Sequence, residues 1–325
     1  MGKDRSFLGQ FNDQFEKINI ELEKTFKSRV PIVGDILSHS LLSKGKRLRP
    51  LLFLLSCRLC GYEEENIYRL STIFECIHAA SLLHDDVLDN AEVRRQKPSA
   101  QNVWGNLAAV LGGDYMYAAA TTIAINCNNV QLLKILSETT TRMVEGQFLE
   151  LANTHNWRVS RDEYMEIIVS KTAALISAAC ASGAVIAGAG REATEKLGGF
   201  GLNLGIAFQL MDDILDYTSS QEDFGKPVGK DLREGKITLP LIYTLSGIDK
   251  GEVKRLEDEF KNDRASEADY GKLIGMVRRN GAIERIISEA RGFVEEAAGY
   301  LETFPSSPIK EGLIALNSYM VERNF

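Results

Sequence analysis

The residues best suited to chemistry form two acidic clusters of one pattern, Asp-Asp-x-x-Asp. They are Asp85, Asp86 and Asp89 in the first cluster and Asp212, Asp213 and Asp216 in the second. In each cluster the first and last aspartates are four residues apart, so on a helix they lie one turn apart on one face. Like charges at this spacing repel each other unless a cation lies between them. The repeated pattern therefore favours two cation-binding helices over two solvated helix ends.

The surroundings and the ligand type of the clusters indicate which kind of cation they bind. The residues before the clusters, at 79–83 and 207–211, are mostly apolar, so neither cluster resembles a solvated helix face. A ligand set made only of carboxylates suits a hard cation, and magnesium commonly bridges one or two carboxylates to phosphate oxygens. The clusters therefore predict magnesium bound together with a phosphate-bearing substrate.

Basic residues accompany both clusters. They are Lys44, Lys46, Arg47 and Arg49 upstream, Arg94 and Arg95 after the first cluster, and Lys226, Lys230, Arg233 and Lys236 after the second. Arginine can give a phosphate two parallel hydrogen bonds, and a metal held by carboxylates can bridge phosphate oxygens. Together these residues predict a receptor for diphosphate groups.

With these acidic and basic motifs, the sequence resembles the trans-polyprenyl diphosphate synthase family, and in particular its long-chain, octaprenyl-type members. The resemblance runs from GKRLRP (45–50) through both aspartate clusters to GKDLREGKITLP (229–240), so it covers nearly the whole chain. It is specific because several separated motifs occur in the family's order and spacing. One position departs from the pattern: the family's usual Arg-Arg-Gly is Arg94-Arg95-Gln96 here, which affects the local turn and leaves the charges in place.

The resemblance implies roles for individual positions. Isopentenyl diphosphate is expected at Lys46, Arg49, His78 and Arg95, and the allylic diphosphate at Arg94, Lys171, Thr172, Gln209, Lys226 and Lys236. The expected magnesium ligands are Asp85, Asp89 and Asp212. All six aspartates and Lys171 are expected to be catalytic, with three magnesium ions per active site when substrate is bound. The helical spacing is consistent with these roles, since His78 precedes Asp85 by two helical turns on one face and Gln209 precedes Asp212 by about one.

The implied reaction joins isopentenyl diphosphate to an allylic diphosphate, farnesyl or geranylgeranyl, by ionisation, condensation and elimination. The product would be a long-chain, all-trans polyprenyl diphosphate. A short-chain farnesyl or geranylgeranyl diphosphate synthase is an alternative, and so is a non-catalytic subunit of a heteromeric synthase. A class I terpene cyclase would also ionise an allylic diphosphate, but it would leave GKRLRP, His78 and Arg95 without a role.

Small side chains near the first cluster bear on product length. Ala80 and Ser81 lie about one helical turn before Asp85, where bulky aromatic residues often stop the growing chain in short-chain members of the family. We expect these two residues to line a tunnel for the prenyl chain, with Ile123 as a deeper floor. The alternative is that such small residues only ease helix packing. The tunnel interpretation predicts a product of 35 to 50 carbons.

The elements that position these residues are expected to be helices. Almost every segment has helical periodicity, no segment alternates as a half-buried strand would, and several prolines fall where helices should begin or end. The apolar stripes near both ends of the chain indicate core or subunit packing. We therefore predict one all-α domain over residues 1–325. The resemblance specifies a helical bundle of the isoprenoid synthase type, with a central active-site cavity and assembly as a homodimer.

Composition excludes several other classes. The net charge of −7 over 325 residues disfavours a nucleic-acid binder. The chain contains no uninterrupted run of about 18 apolar residues, so no transmembrane segment is predicted. The N-terminal segment carries acids throughout and lacks the apolar stretch of a signal peptide. Five scattered cysteines, including the Cys57-x-x-Cys60 pair, read as buried thiols in a reducing compartment. We expect a cytoplasmic enzyme that delivers its product to a membrane.

Overall fold

The computed structural model describes residues 8–42, 45–94, 97–219, 228–261 and 265–322, and almost all of them lie in helices. The helices are α1 (Asn12–Thr25), α2 (Pro31–Ser40), α3 (Leu48–Leu59), α4 (Asn66–Leu88), α5 (Ala100–Trp104), α6 (Asn106–Asn126), α7 (Val130–Asn153), α8 (Arg161–Ile168), α9 (Ala174–Ile186), α10 (Gly190–Thr218), α11 (Lys230–Arg233), α12 (Leu239–Ser246), α13 (Lys250–Lys261), α14 (Glu267–Arg279), α15 (Ala282–Leu301) and α16 (Pro308–Glu322). A 3₁₀ turn, Gly9–Phe11, precedes α1. Within these ranges the only strands are β1 (Val93–Arg94) and β2 (Lys97–Pro98), which pair antiparallel.

This architecture confirms the predicted all-α class, and the apolar stripes are its cause. In α1, Ile18 and Leu22 are one turn apart and are both fully buried. In α15, Ile286 and Ala290 have the same spacing and the same burial. Helices α1 and α15 therefore gain stability by burying one apolar face, as the period of about 3.6 residues predicts.

The chain forms two compact units. The first comprises Met1–Thr139, Leu175–Gly201 and Phe304–Leu313, and the second comprises Thr140–Ala174, Leu202–Thr303 and Ile314–Phe325. Each unit draws on three separate stretches of chain, so neither is a continuous segment. A single domain over residues 1–325 therefore stays our proposal.

The first unit is built around α4, which is buried along most of its length and ends in the first aspartate cluster. An aromatic pair fixes α4 against α3: the rings of Phe53 and Phe74 have centroids 5.2 Å apart. Because the helix is held by its buried apolar residues, the acidic turn at its end is presented by a rigid element.

The second unit contains a helical path with an unusual turn. Ser160 is the N-cap of helix α8 and forms a capping box with Glu163. Ser160 Oγ accepts from Glu163 N at 3.2 Å, and Ser160 N donates to Glu163 Oε2 at 2.8 Å. A π-helical turn, Val169–Ala173, then follows before the chain continues as helix. The path Arg161–Ile186 is long and apolar enough to cross a bilayer, but 72% of its most apolar part is buried, as in the core helix of a globular protein.

The cysteines behave as small apolar residues. All five are free, and Cys57, Cys76 and Cys180 are buried. Burial raises the pKa of Cys60 to about 11 and raises that of Cys57 further, because a low-dielectric surrounding disfavours the thiolate. The Cys57-x-x-Cys60 pair is therefore suited to packing and not to redox or metal chemistry.

The capping box of α8 can be tested by stability. Replacing Ser160 by Ala removes the oxygen that accepts from Glu163 N, and we expect this to cost about 1 kcal/mol and to lower the melting temperature. Ser160→Asp is the matched control, because aspartate supplies an equivalent acceptor at an N-cap. Equal melting temperatures for the Ala and Asp variants would show that the cap does not stabilise α8.

Candidate active site

The first aspartate cluster lies at the end of α4. Asp85 and Asp86 are in its last turn, and Asp89 caps the helix by donating its backbone N–H to Asp85 O at 2.8 Å. Asp86 is buried and accepts a hydrogen bond from Arg94 Nε at 2.5 Å, whereas Asp85 and Asp89 are half-buried. The Arg94 side chain, on β1, therefore holds the middle acid of the cluster.

The basic motif at 45–50 is fastened to α4 by its central arginine. Arg47 has a left-handed backbone (φ 47°) just before α3, and its side chain is 5% exposed. Its guanidinium donates to Glu75 Oε1 at 2.6 Å and to Asn19 Oδ1 at 3.0 Å. Lys46 beside it is exposed and Arg49 is half-buried. Arg47 thus positions the segment that carries the two other basic side chains.

Glu75 ties this motif to a further predicted residue. It lies on α4 three residues before the half-buried His78, about one helical turn along the same face. The predicted residues Lys46, Arg49 and His78 are therefore linked through one buried ion pair. In the sequence, the only sign of this ion pair is that Glu75 is an isolated acid within the apolar run 73–77, and the sequence analysis did not use it.

The second aspartate cluster is held by a chain of side-chain hydrogen bonds. Asp213 is buried, and it accepts from Tyr164 Oη at 2.6 Å and from Gln209 Nε2 at 2.7 Å. Gln209 Oε1 in turn accepts from Thr172 Oγ1 at 3.0 Å. Burial raises the pKa of Asp213 to about 7, and the bonds from Tyr164 and Gln209 oppose that rise. The network fixes the orientation of Gln209.

Asp216 organises the chain that follows the cluster. Its carboxylate accepts from the backbone N–H groups of Lys230 and Asp231, each at 3.1 Å, and its carbonyl accepts from Gly229 N at 2.9 Å. Burial raises the pKa of Asp216, while these backbone bonds lower it. Asp216 therefore anchors the start of α11, and Asp212 is half-buried on the preceding turn of α10.

A cavity of about 180 Å³ in the second unit brings several predicted residues together. Four of the predicted allylic-diphosphate residues line it: Lys171, Thr172, Gln209 and Lys236. Lys171 Nζ forms an ion pair with Glu150 Oε2 at 2.5 Å, and Lys236 Nζ forms one with Glu234 Oε2 at 2.9 Å. The other two predicted allylic-diphosphate residues do not line the cavity: Arg94 belongs to the first unit, and Lys226 lies outside the described residues. Arg95, predicted for isopentenyl diphosphate, also lies outside the described residues.

The cavity wall also contains polar residues that sequence reasoning did not single out. They are Glu150, Asn153, Tyr164, Asp231 and Thr238. No sequence pattern near Tyr164 indicates that it belongs to the site, because its hydrogen-bond partner Asp213 is 49 residues away in the chain. Asp231 stands within the quoted GKDLREGK motif, where only the basic residues were given a role. Burial raises the pKa of Asp231 well above that of an exposed aspartate.

The residues predicted to set product length lie in the first unit. Ala80 is 3% exposed and Ile123 is 6% exposed. Ser81 is half-buried, and its Oγ donates to His78 O at 2.9 Å. Ala80 and Ser81 lie on α4, and Ile123 lies on α6. Their contact with a prenyl chain stays a prediction.

The carboxylates fit a magnesium ion that binds together with a phosphate group. Among the residues that the structure describes, no three His, Cys, Asp or Glu side chains lie close enough together to hold a metal alone. Magnesium seldom uses such an all-protein cage, since it keeps waters and bridges one or two carboxylates to substrate phosphates. Asp86, Asp213 and Asp216 each accept hydrogen bonds from protein donors. Asp85, Asp89 and Asp212 are half-buried carboxylates, and carboxylate oxygens are ligands suited to such a cation.

Comparison with known proteins identifies the family. Residues 30–277 match the family model described as "Polyprenyl synthetase". The chain is 34% identical to heptaprenyl diphosphate synthase component 2 of Bacillus subtilis, over 98% of this chain and 90% of that protein. It is 34% identical to octaprenyl diphosphate synthase of Haemophilus influenzae, over 95% of this chain and 94% of that protein.

A solved structure gives the same result. A polyprenyl synthase from Caulobacter crescentus CB15, complexed with calcium and isoprenyl diphosphate, superimposes with a TM-score of 0.92. It is 35% identical, and the match covers 98% of this chain and 97% of that one. The chain therefore belongs to the polyprenyl synthetase family. The family and the polyprenyl synthase type of helical fold, both predicted from sequence, are confirmed.

The contribution of the buried Arg47–Glu75 ion pair to the stability of the protein can be tested by substitution. Arg47→Met leaves the Glu75 carboxylate buried without its cation, and breaking such a pair on one side costs about 3–5 kcal/mol. We expect the urea midpoint of unfolding to fall accordingly. The double variant Arg47→Met/Glu75→Leu should recover most of the loss, because an apolar replacement of both partners is often neutral. Lys46→Met, at the exposed neighbouring residue, is the control. If its urea midpoint were as low as that of Arg47→Met, the stabilising role assigned to the buried ion pair would be contradicted.

Proposed function

We propose that this protein is a magnesium-dependent trans-prenyltransferase that joins isopentenyl diphosphate to an allylic diphosphate, farnesyl or geranylgeranyl. The observation that carries the proposal is the cavity where Lys171, Thr172, Gln209 and Lys236 meet beside Asp213. Two cations, a hydroxyl and an amide around one space suit a diphosphate group. The names of the relatives, all prenyl diphosphate synthases, support the same reaction.

The cavity binds the allylic diphosphate by exchange of ionic partners. Lys171 and Lys236 are paired with Glu150 and Glu234, so both ammonium groups are held near the cavity by acids. A diphosphate carries more charge than a carboxylate and can accept from Lys171, Lys236 and Thr172 together. These residues then stabilise the negative charge that grows on the diphosphate as the allylic C–O bond breaks.

Asp85, Asp89 and Asp212 hold the magnesium, with three ions in a loaded site. When bound, magnesium neutralises the diphosphate leaving group. The other acids of the clusters act by positioning: Asp86 holds Arg94, Asp213 holds Gln209, and Asp216 holds the start of α11.

The second substrate is held by the first unit. Lys46, Arg49 and His78, together with Arg95, bind isopentenyl diphosphate and orient its double bond for attack on the allylic cation. The double bond forms the new C–C bond, and the resulting cation loses a proton. The departed diphosphate accepts that proton, so the step balances as one prenyl diphosphate lengthened by five carbons plus free diphosphate.

Turnover by the purified chain tests the function. We expect product from isopentenyl and farnesyl diphosphates with magnesium, and none in excess chelator. Product from the allylic substrate alone would instead identify a terpene cyclase. Activity that appears only with a second protein would identify a subunit of a heteromeric synthase, the arrangement that the name of the Bacillus subtilis relative indicates.

The metal ligands can be tested individually. Asp85→Ala and Asp212→Ala should each lower kcat by about a hundredfold to a thousandfold, because the charge they help to stabilise develops during the reaction. The control is Asp35→Ala, at an exposed aspartate of α2. A near wild-type kcat for either variant would remove that residue from the metal site.

A homodimer in the cytoplasm is the assembly that we propose. In the first unit, Leu107, Leu111 and Ile125 share one face of α6 and are 75%, 58% and 54% exposed. A large exposed apolar face marks a protein interface, and a second copy of this chain would cover it. The molar mass of the purified protein in solution measures this directly.

We propose a product of 35 to 50 carbons, because the small residues Ala80 and Ser81 let the prenyl chain pass to a deeper floor at Ile123. The variant Ala80→Phe should yield products of 15 to 20 carbons, because a ring at this buried position fills volume that a dense interior cannot replace. Ala268→Phe, at an exposed position of α14, is the control. Product masses and melting temperatures of both variants are measured. A folded, active Ala80→Phe enzyme with unchanged long products would show that Ala80 does not face the tunnel.

A further inference from the structure

The π-helical turn Val169–Ala173 carries two of the cavity residues, Lys171 and Thr172. At its end Ala174 N donates to Val169 O, five residues earlier, so the turn is wider than a turn of α-helix. Such a turn has no strong intrinsic preference to form. Its shape must therefore be fixed by the elements that pack on it.

One packing element is α7, which contacts the turn through a glycine. A Cβ atom added at Gly146 would lie 2.8 Å from the backbone N of Lys171 and 2.8 Å from Ser170 Cβ. Side chains do not tolerate such distances, so only glycine allows α7 to lie this close to the turn. One helical turn earlier, Arg142 Nε donates to Ser170 Oγ at 3.4 Å.

The other packing element is α10, which also contacts the turn through a glycine. A Cβ atom at Gly205 would lie 2.7 Å from Ala173 Cα and 2.9 Å from Ala173 Cβ, and Ala173 is fully buried. Gly205 is four residues before Gln209, which accepts the hydrogen bond from Thr172. The close approach at Gly205 therefore brings the partner of Thr172 within reach.

We propose that Gly146 and Gly205 are positioning residues that together fix the π-helical turn, and with it Lys171 and Thr172, for the allylic diphosphate. Each glycine contacts the backbone of the turn itself, on α7 at Lys171 and on α10 at Ala173. A methyl group at either position must displace main chain, since no flexible side-chain end can yield. This inference rests on the proposed function.

The test compares the KM values for the two substrates. Gly146→Ala and Gly205→Ala should each raise KM for the allylic diphosphate by roughly tenfold or more, the loss expected for one charge-assisted hydrogen bond. KM for isopentenyl diphosphate should change much less, because its predicted ligands are not on this turn. The ratio of the two KM values is the readout, since a general loss of folded protein lowers kcat and leaves that ratio unchanged.

Two glycine variants serve as matched controls. Gly183→Ala also crowds main chain, with its Cβ 2.9 Å from Phe53 O and 2.9 Å from Cys57 N, but contacts no residue of the cavity wall. It should lower the melting temperature and keep the KM ratio. Gly292→Ala, at an exposed position of α15 with nothing within 4 Å of the added Cβ, should keep the KM ratio and raise the melting temperature, because alanine favours a helix interior over glycine.

The outcomes separate this inference from the proposed function. An inactive wild-type chain would contradict the function itself. With an active wild type, an unchanged KM ratio in folded Gly146→Ala or folded Gly205→Ala would overturn the role of that glycine, and the two variants are independent tests. A ratio shifted as much in Gly183→Ala would overturn the inference as well, because crowding anywhere would then have the same effect.

Discussion

The cost of burying negative charge is the constraint on which both aspartate clusters depend. A carboxylate removed from water must find hydrogen-bond donors or a cation, or else take up a proton. The protein supplies donors of four kinds: a guanidinium for Asp86, a tyrosine hydroxyl and a side-chain amide for Asp213, and backbone N–H groups for Asp216. Helix ends, turns and side chains around each cluster are thereby tied to the acids.

The same constraint divides the basic residues into two groups. Arg47 and Glu75 are 5% and 6% exposed, so their ion pair is part of the core and fastens a loop to α4. Lys171 and Glu150 are 21% and 18% exposed and line a cavity. Breaking the first pair would leave a buried charge unpaired, whereas the second borders a cavity that a ligand could enter. Burial thus separates the structural cation Arg47 from Lys171, the cation that we propose binds the allylic diphosphate.

The sequence was sufficient for the features that local spacing determines. Helical periodicity predicted the all-α fold. The family resemblance grouped Lys171 and Gln209 with Thr172 and Lys236, and all four line one cavity, while the ligand assigned to them stays a prediction. The sequence was insufficient where a contact joins distant segments. Tyr164 meets Asp213 across 49 residues, and Arg47 meets Glu75 across 28. The π-helical turn has no signature of its own, because it depends on how closely α7 and α10 can approach.

The Lys171–Glu150 ion pair has a consequence for which anions can enter the cavity. Glu150 is tethered to α7, so it competes with any incoming anion at a high effective concentration. A chloride or acetate ion offers Lys171 no more than Glu150 already provides. A polyvalent anion can satisfy Lys171 and Thr172 simultaneously and so outcompete the tethered acid. If the cavity binds a diphosphate as proposed, the pair would therefore select anions by valence and disfavour monovalent anions, with no steric gate required.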